Sequence, residues 1–168
     1  MSTVVLGDGS RSGRSAEEWF DRGVAFERSD QLVDAVQAYQ AAVGARSDFP
    51  EAWFNLGNLL RDAGLLDDAE RAFRTALRHR PRLAEGWYNL ADLLQEQGER
   101  EAAITSLQLA VTADPDYADA HYNLALCLHW AGRPAEARPH WRRYLELDDR
   151  GAWAETARRH LAGSENIL

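Results

Sequence analysis

The sequence predicts an all-α fold, a solenoid of antiparallel helix pairs, and three observations predict it. A five-residue phrase, Trp53-Phe54-Asn55-Leu56-Gly57, returns 34 residues later as Trp87-Tyr88-Asn89-Leu90-Ala91, and after the same interval as His121-Tyr122-Asn123-Leu124-Ala125. Extending the frame backwards brings Trp19 into register, and further columns hold through four copies. One is small (Gly23, Gly57, Ala91, Ala125), one is alanine (Ala35, Ala69, Ala103, Ala137), and one is large (Tyr39, Phe73, Leu107, Trp141). Apolar positions three and four apart then mark each half-copy as an amphipathic helix. A fixed period of this length means stacked units, none of which buries both faces alone.

Taken in order, residues 1–14 read as a flexible, Gly- and Ser-rich leader; Val4-Val5-Leu6 is too short and lacks the basic flank of a secretion signal. The repeats fill 15–150. Ser15 and Glu18 form a capping box that opens the first copy, 16–49. In the second, 50–83, a first helix runs from about Glu51 to Ala63 with Trp53, Leu56, Leu59 or Leu60, and Ala63 on one stripe. Gly64 then supplies the left-handed residue a helix end needs, and a second helix runs from near Leu66 until Pro81 stops it. The third copy, 84–117, turns at Gln97-Gly98 and stops at Pro115. The fourth, 118–151, has Asp116 as a candidate cap and turns at Ala131-Gly132. Pro139 falls inside its second helix without a donor, which calls for a late start or a bend. Residues 151–162 carry Trp153, Ala157 and Leu161 on one side and read as a capping helix that meets Trp141 and Tyr144; 163–168 read as a frayed tail. The Gly57 column lets the helices of one copy approach and the Ala69 column lets the next pair stack. Trp53 and Trp87 are expected to be buried between pairs.

These columns resemble the tetratricopeptide repeat. The match is fullest in copies two and three, with Trp53, Leu56, Gly57, Ala69, Phe73, Ala76 and Pro81, and with Trp87, Leu90, Ala103, Ala110 and Pro115. The first copy departs at Arg22, Asp30 and Ser47 and the fourth at His121, Tyr144 and Asp149, as the end copies of a capped array do. The resemblance implies a right-handed superhelical solenoid whose first helices line a concave groove, with a fixed set of positions facing a ligand. Carried onto this chain, the candidate partner-binding residues are Phe20, Phe54, Asn55, Asn58, Arg61, Tyr88, Asn89, Asp92, Tyr122, Asn123, Leu126, His129 and Trp130. Asparagine amides beside aromatic rings suit the backbone and side chains of an extended peptide. Tyrosine and asparagine at these places are also the family's commonest residues, so a purely structural role stands beside the binding one. Trp130 is the best single candidate for an anchor, with packing against the capping helix as its alternative.

Composition narrows the function. The net charge is −8 and all 19 basic residues are arginine, a balance that argues against a polyanion binder, so no nucleic acid is expected as a partner. The arginines from Arg71 to Arg82 suit the C-terminal end of a helix dipole. Catalytic motifs are absent: there is no phosphate loop, no HExxH, no G-x-S-x-G and no CxxC pair, and no two histidines stand four apart. The reading is therefore no enzyme, no cofactor and no metal, with Cys127 a buried inert thiol. No apolar run spans a bilayer, and a cytoplasmic location is expected. A second groove column, Glu17, Glu51, Glu85 and Asp119, is acidic throughout, which excludes a carboxylate ligand and favours an extended, neutral-to-basic segment. The expected function is a non-enzymatic adaptor that binds a protein or peptide, as a monomer or weak homo-oligomer. The alternatives are a self-associating scaffold, or a module acting in trans with a regulator or enzyme on another chain.

Overall fold

The computed structural model describes residues 13–165. Residues 1–12 of the expected leader and 166–168 of the expected tail lie outside them. The described residues hold nine helices and no strand: α1 Ala16–Arg28, α2 Leu32–Ala45, α3 Pro50–Asp62, α4 Leu66–His79, α5 Ala84–Glu96, α6 Arg100–Ala113, α7 Ala118–Trp130, α8 Pro134–Leu147 and α9 Ala154–Glu165. The chain divides into two units, Met1–Arg80 and Pro81–Leu168. In the first, α1 pairs with α2, α3 pairs with α4, and α2 packs on α3. In the second, α5 pairs with α6, α7 pairs with α8, α6 packs on α7 and α8 packs on α9. This is an all-α solenoid of helix pairs.

Local sequence explains the ends of the helices. Ser15 Oγ accepts from the Glu18 amide at 3.1 Å while Glu18 accepts from the Ser15 amide at 2.8 Å, the reciprocal box the sequence predicts. Asp116 does not cap α7, whose N-cap residue is Tyr117; the Asp116 carboxylate instead pairs with Arg143. Within each pair the turn is a left-handed residue: Gly64, Gly98 and Gly132 at φ of 74°, 81° and 75°, and Asp30 at 56°. Each turn closes with an amide reaching back five residues, as in Leu65 to Leu60 at 2.9 Å and Glu99 to Leu94 at 2.8 Å, so the last carbonyls of the first helix are satisfied. Such short connections force antiparallel neighbours.

The columns do what their sizes dictate. Ala35, Ala69, Ala103 and Ala137 are buried, as are Tyr39, Phe73, Leu107 and Trp141. An added Cβ on Gly23 would stand 2.5 Å from the Tyr39 ring, and on Gly57 2.7 Å from the Phe73 ring. Where the third copy has alanine, at Ala91, the facing residue shrinks to Leu107.

Three further expectations change. Trp53 and Trp87 are half-buried, not buried: each donates its indole Nε1–H to a carbonyl, Ser47 at 2.8 Å and Pro81 at 2.9 Å, and so must keep one edge near the connecting loop. α8 starts on time at Pro134 and runs through Pro139, so the late start does not occur. α9 begins at Ala154 and extends to Glu165, past the expected limit of 162. In register α9 is a fifth first helix: Ala154 falls where Ala52, Gly86 and Ala120 stand and is buried like Ala120. Arg158 and Arg159 replace the Leu124 and Ala125 that would face a second helix, so that side can remain in water.

Candidate functional site

The two units present different first-helix faces. In the first unit, on α1 and α3, the expected groove aromatics are engaged in ring packing. Phe20 lies 5.6 Å from Tyr39 and 5.0 Å from Phe49, and Phe54 lies 6.0 Å from Phe73. Asn55 donates to the Tyr39 hydroxyl at 3.0 Å, and that hydroxyl donates to Glu27. Burial, followed by the Glu27 bond, holds the Tyr39 phenol above its ordinary range. Asn58 and Arg61 are half-buried. The acids of this unit are matched: Glu17 pairs with Arg46, and Glu51 with Arg80 at 2.7 Å.

In the second unit those matches are gone. The positions equivalent to Arg46 and Arg80, 29 residues after Glu85 and Asp119, hold Asp114 and Asp148. An acid therefore stands in sequence where the first unit has the arginine of an ion pair. At the centre of this face the rings of Tyr88 and Tyr117 lie 5.1 Å apart, and Asn123 donates to the Tyr88 hydroxyl at 2.8 Å. Burial raises the Tyr117 phenol above its ordinary range, and the charges of Tyr88, Glu85, Asp119 and Asp92 add to the effect. Asn89, Asp92 and Leu126 are half-buried beside it. An arginine or lysine side chain entering here would meet both carboxylates and π faces.

At the far end of α7, Trp130 is 61% exposed, so it is open to a ligand and does not pack under the capping helix. With Gln95, Gly98, Arg100 and Cys127 it lines a pocket of about 160 Å³. Cys127 donates to Gln95 Oε1 at 3.2 Å. Burial, then Asp92, pushes its thiol up to about 11, so it stays protonated and unreactive at neutral pH.

Two expected groove residues are not available. Tyr122 is 8% exposed, covered by Trp153 at 5.0 Å and packed on Trp141 and Tyr144 at 5.2 Å each. The reason lies in the frame. Phe20 and Tyr88 are covered by the residue 29 further on, Phe49 and Tyr117, but the equivalent for Tyr122 is Gly151, and Trp153 supplies the missing ring. His129 turns its ring against His160, 4.4 Å away, and belongs to the seam with α9. The wall of Tyr88, Tyr122 and Trp130 that the sequence suggests therefore loses its middle member. Sequence reasoning missed Tyr117. Its column, Phe49, Leu83, Tyr117 and Gly151, was visible as apolar in three copies of four.

Among the described residues no group of three or more His, Cys, Asp or Glu is placed to hold a metal ion, and no helix is long and apolar enough to cross a membrane.

No curated protein matches the chain by sequence. Solved structures similar to it in fold include MamA, at 21% identity and a TM-score of 0.76 over 94% of this chain and 98% of that one. They also include YrrB, described as a TPR protein with an unusual peptide-binding site, at 23% identity and a TM-score of 0.78 over 91% and 79%. A tetratricopeptide repeat protein from Parabacteroides merdae ATCC 43184 matches at 24% identity with a TM-score of 0.80, over 91% of this chain and 61% of that one. The profile of the tetratricopeptide repeat matches three overlapping stretches, residues 20–84, 54–117 and 88–152, and with most of its length so covered the chain belongs to the tetratricopeptide repeat family.

Proposed function

We propose that this chain is a protein-binding adaptor whose second unit takes an extended, neutral-to-basic segment of a partner along α5 and α7. The family supports the broader part of that reading, a protein–protein interaction module. The peptide-binding site described for YrrB, whose fold the chain shares, supports the same class of ligand. The observation that carries the finer part is the replacement of two ion-pair partners: Arg46 and Arg80, which hold Glu17 and Glu51, give way to Asp114 and Asp148 at the positions equivalent for Glu85 and Asp119. Basic side chains of the partner bind among Glu85, Asp92 and Asp119 over Tyr88 and Tyr117, an apolar side chain rests on Trp130, and Asn89 serves the peptide backbone.

The test compares two peptide pools, one of arginine and leucine and the other of glutamate and leucine, titrated into isotope-labelled protein. The basic pool should shift the amides of Tyr88, Asn89 and Asp119 with affinity on the order of micromolar, since a short array must order a flexible ligand. Glu85→Gln with Asp119→Asn should weaken it by about tenfold. Preference for the acidic pool, or equal binding of both, would overturn the reading.

A further inference from the structure

Four of the five histidines lie in α7, α8 and α9. Two of them meet at the seam that holds α9. The His160 ring lies flat on Trp141 of α8, centroids 4.9 Å apart and planes 5° apart, and at an angle against His129 of α7 at 4.4 Å. His129 Nδ1 is buried with no hydrogen-bond partner. The other apolar groups that α9 brings to the seam are Ala154 and Ala157, both buried, and Leu161, half-buried. Within α9 itself, His160 is thus the one ring that meets the fourth pair, on His129 and Trp141, while Trp153 just before the helix covers Tyr122.

From this geometry we propose that α9 is an acid-released cap: mild acid protonates His160 where its ring lies against His129 and Trp141, lifts α9 from the fourth helix pair, and uncovers Trp141. His129, Arg159 and burial all work in that direction. Burial holds the His160 imidazole below the ordinary range, followed by His129 from α7 and by Arg159 on α9 itself; from α8 it meets the neutral indole of Trp141. A protonated His160 would keep a cation–π contact with Trp141. The seam nevertheless takes the His160 ring partly out of water, which disfavours its charged form. The lifted helix takes up a proton more readily than the docked one. Docking is therefore complete above an ordinary histidine value of about 6.5 and is lost as pH falls through the lowered value. The released state leaves α7 and α8 paired, because their own contacts do not pass through α9.

The experiment is hydrogen exchange of the full chain, read by mass spectrometry at pH 7.5 and 5.5 and corrected for intrinsic exchange. Peptides from α9 should lose more protection than peptides from α2, by up to about tenfold, the ceiling that uptake of one proton on opening sets at pH 5.5 for a free imidazole value of about 6.5. His160→Gln should abolish that pH dependence. A loss in α9 no larger than in α2 overturns the proposal, as does a variant that keeps the dependence. If the variant leaves α9 unprotected at both values, the wild-type comparison decides, together with an NMR titration of the His160 ring. A ring midpoint that coincides with the opening supports the proposal, and one outside that range overturns it.

Discussion

At Gly57 a methyl group would meet the Phe73 ring, which is fully buried and cannot swing aside. Gly57→Ala should therefore cost about 1–3 kcal/mol, the range for overpacking a core. The third copy shows the remedy, since Ala91 stands there with Leu107. Gly57→Ala with Phe73→Leu should recover most of the loss, and urea melts of the two single variants and the double would show the coupling. A second exchange of this kind sits at His121 and His140. Other copies combine Trp53 with Ala72 and Trp87 with Ser106, whereas the fourth uses two histidines of middle size. His121 keeps the column's bond by placing Nε2 3.0 Å from the Pro115 carbonyl, as Trp87 does with Pro81, and its Nδ1 faces His140 Nδ1 at 3.0 Å. That contact needs at least one bare nitrogen. Burial lowers both imidazoles, and His140, with His121 beside it, falls to about 4; Arg143 acts with burial on His121, while the Pro115 bond, Asp114 and Asp116 oppose it. Both folded values lie below an unfolded value of about 6.5. The unfolded chain thus binds protons first as pH falls, and stability should drop between about 6.5 and about 4 and be unaffected above. Urea midpoints at pH 7.5 and 5.0 would check this. His121→Trp with His140→Ala, which restores the pairing of the other copies, should flatten part of the dependence.

Among the elements, the helices and their turns were legible because two kinds of local chemistry mark them, apolar spacing within and glycine or proline at the ends. Gly98 at φ 81° is one such mark, and Gly98→Ala should cost about 1–2 kcal/mol in a chemical melt, the steric penalty of that conformation for a residue with a Cβ. The tryptophans were misread because a repeated large residue suggests burial, while the indole Nε1–H of Trp87 needs an acceptor and finds it at the edge of the loop. Trp87→Phe keeps the ring and removes that bond, so a loss of about 1 kcal/mol is expected, measured the same way. Pro139 misled in the other direction: α8 continues past it, since one missing donor does not outweigh the burial of Trp141 and Tyr144 just beyond. Asp116 was a plausible cap by residue type, but the fold uses its carboxylate to hold Arg143.

At the scale of the whole molecule the sequence disclosed the repeat and the acidic groove column, yet not where that acidity acts. Glu17 and Glu51 looked equivalent to Glu85 and Asp119 until Arg46 and Arg80 were seen to pair with them. Those partners stand 29 residues away, beyond the reach of any local pattern. Writing the first unit's solution into the second, as Asp114→Arg with Asp148→Arg, should weaken a basic ligand by about tenfold and lessen the salt dependence of its binding, checked by titration at low and high ionic strength. The other large-scale feature is the register of α9. A solenoid has no intrinsic size: each pair offers the next the same surface it received, and growth stops only where a helix cannot be continued. In α9 two adjacent residues, Arg158 and Arg159, stand in the places of a leucine and an alanine, and offer a following helix no apolar face. Replacing them by Leu and Ala, and grafting a copy of α8 with its turn behind α9, should lengthen the array by one full pair. Made without the graft, the same two changes would leave an open socket, and chains would meet end to end.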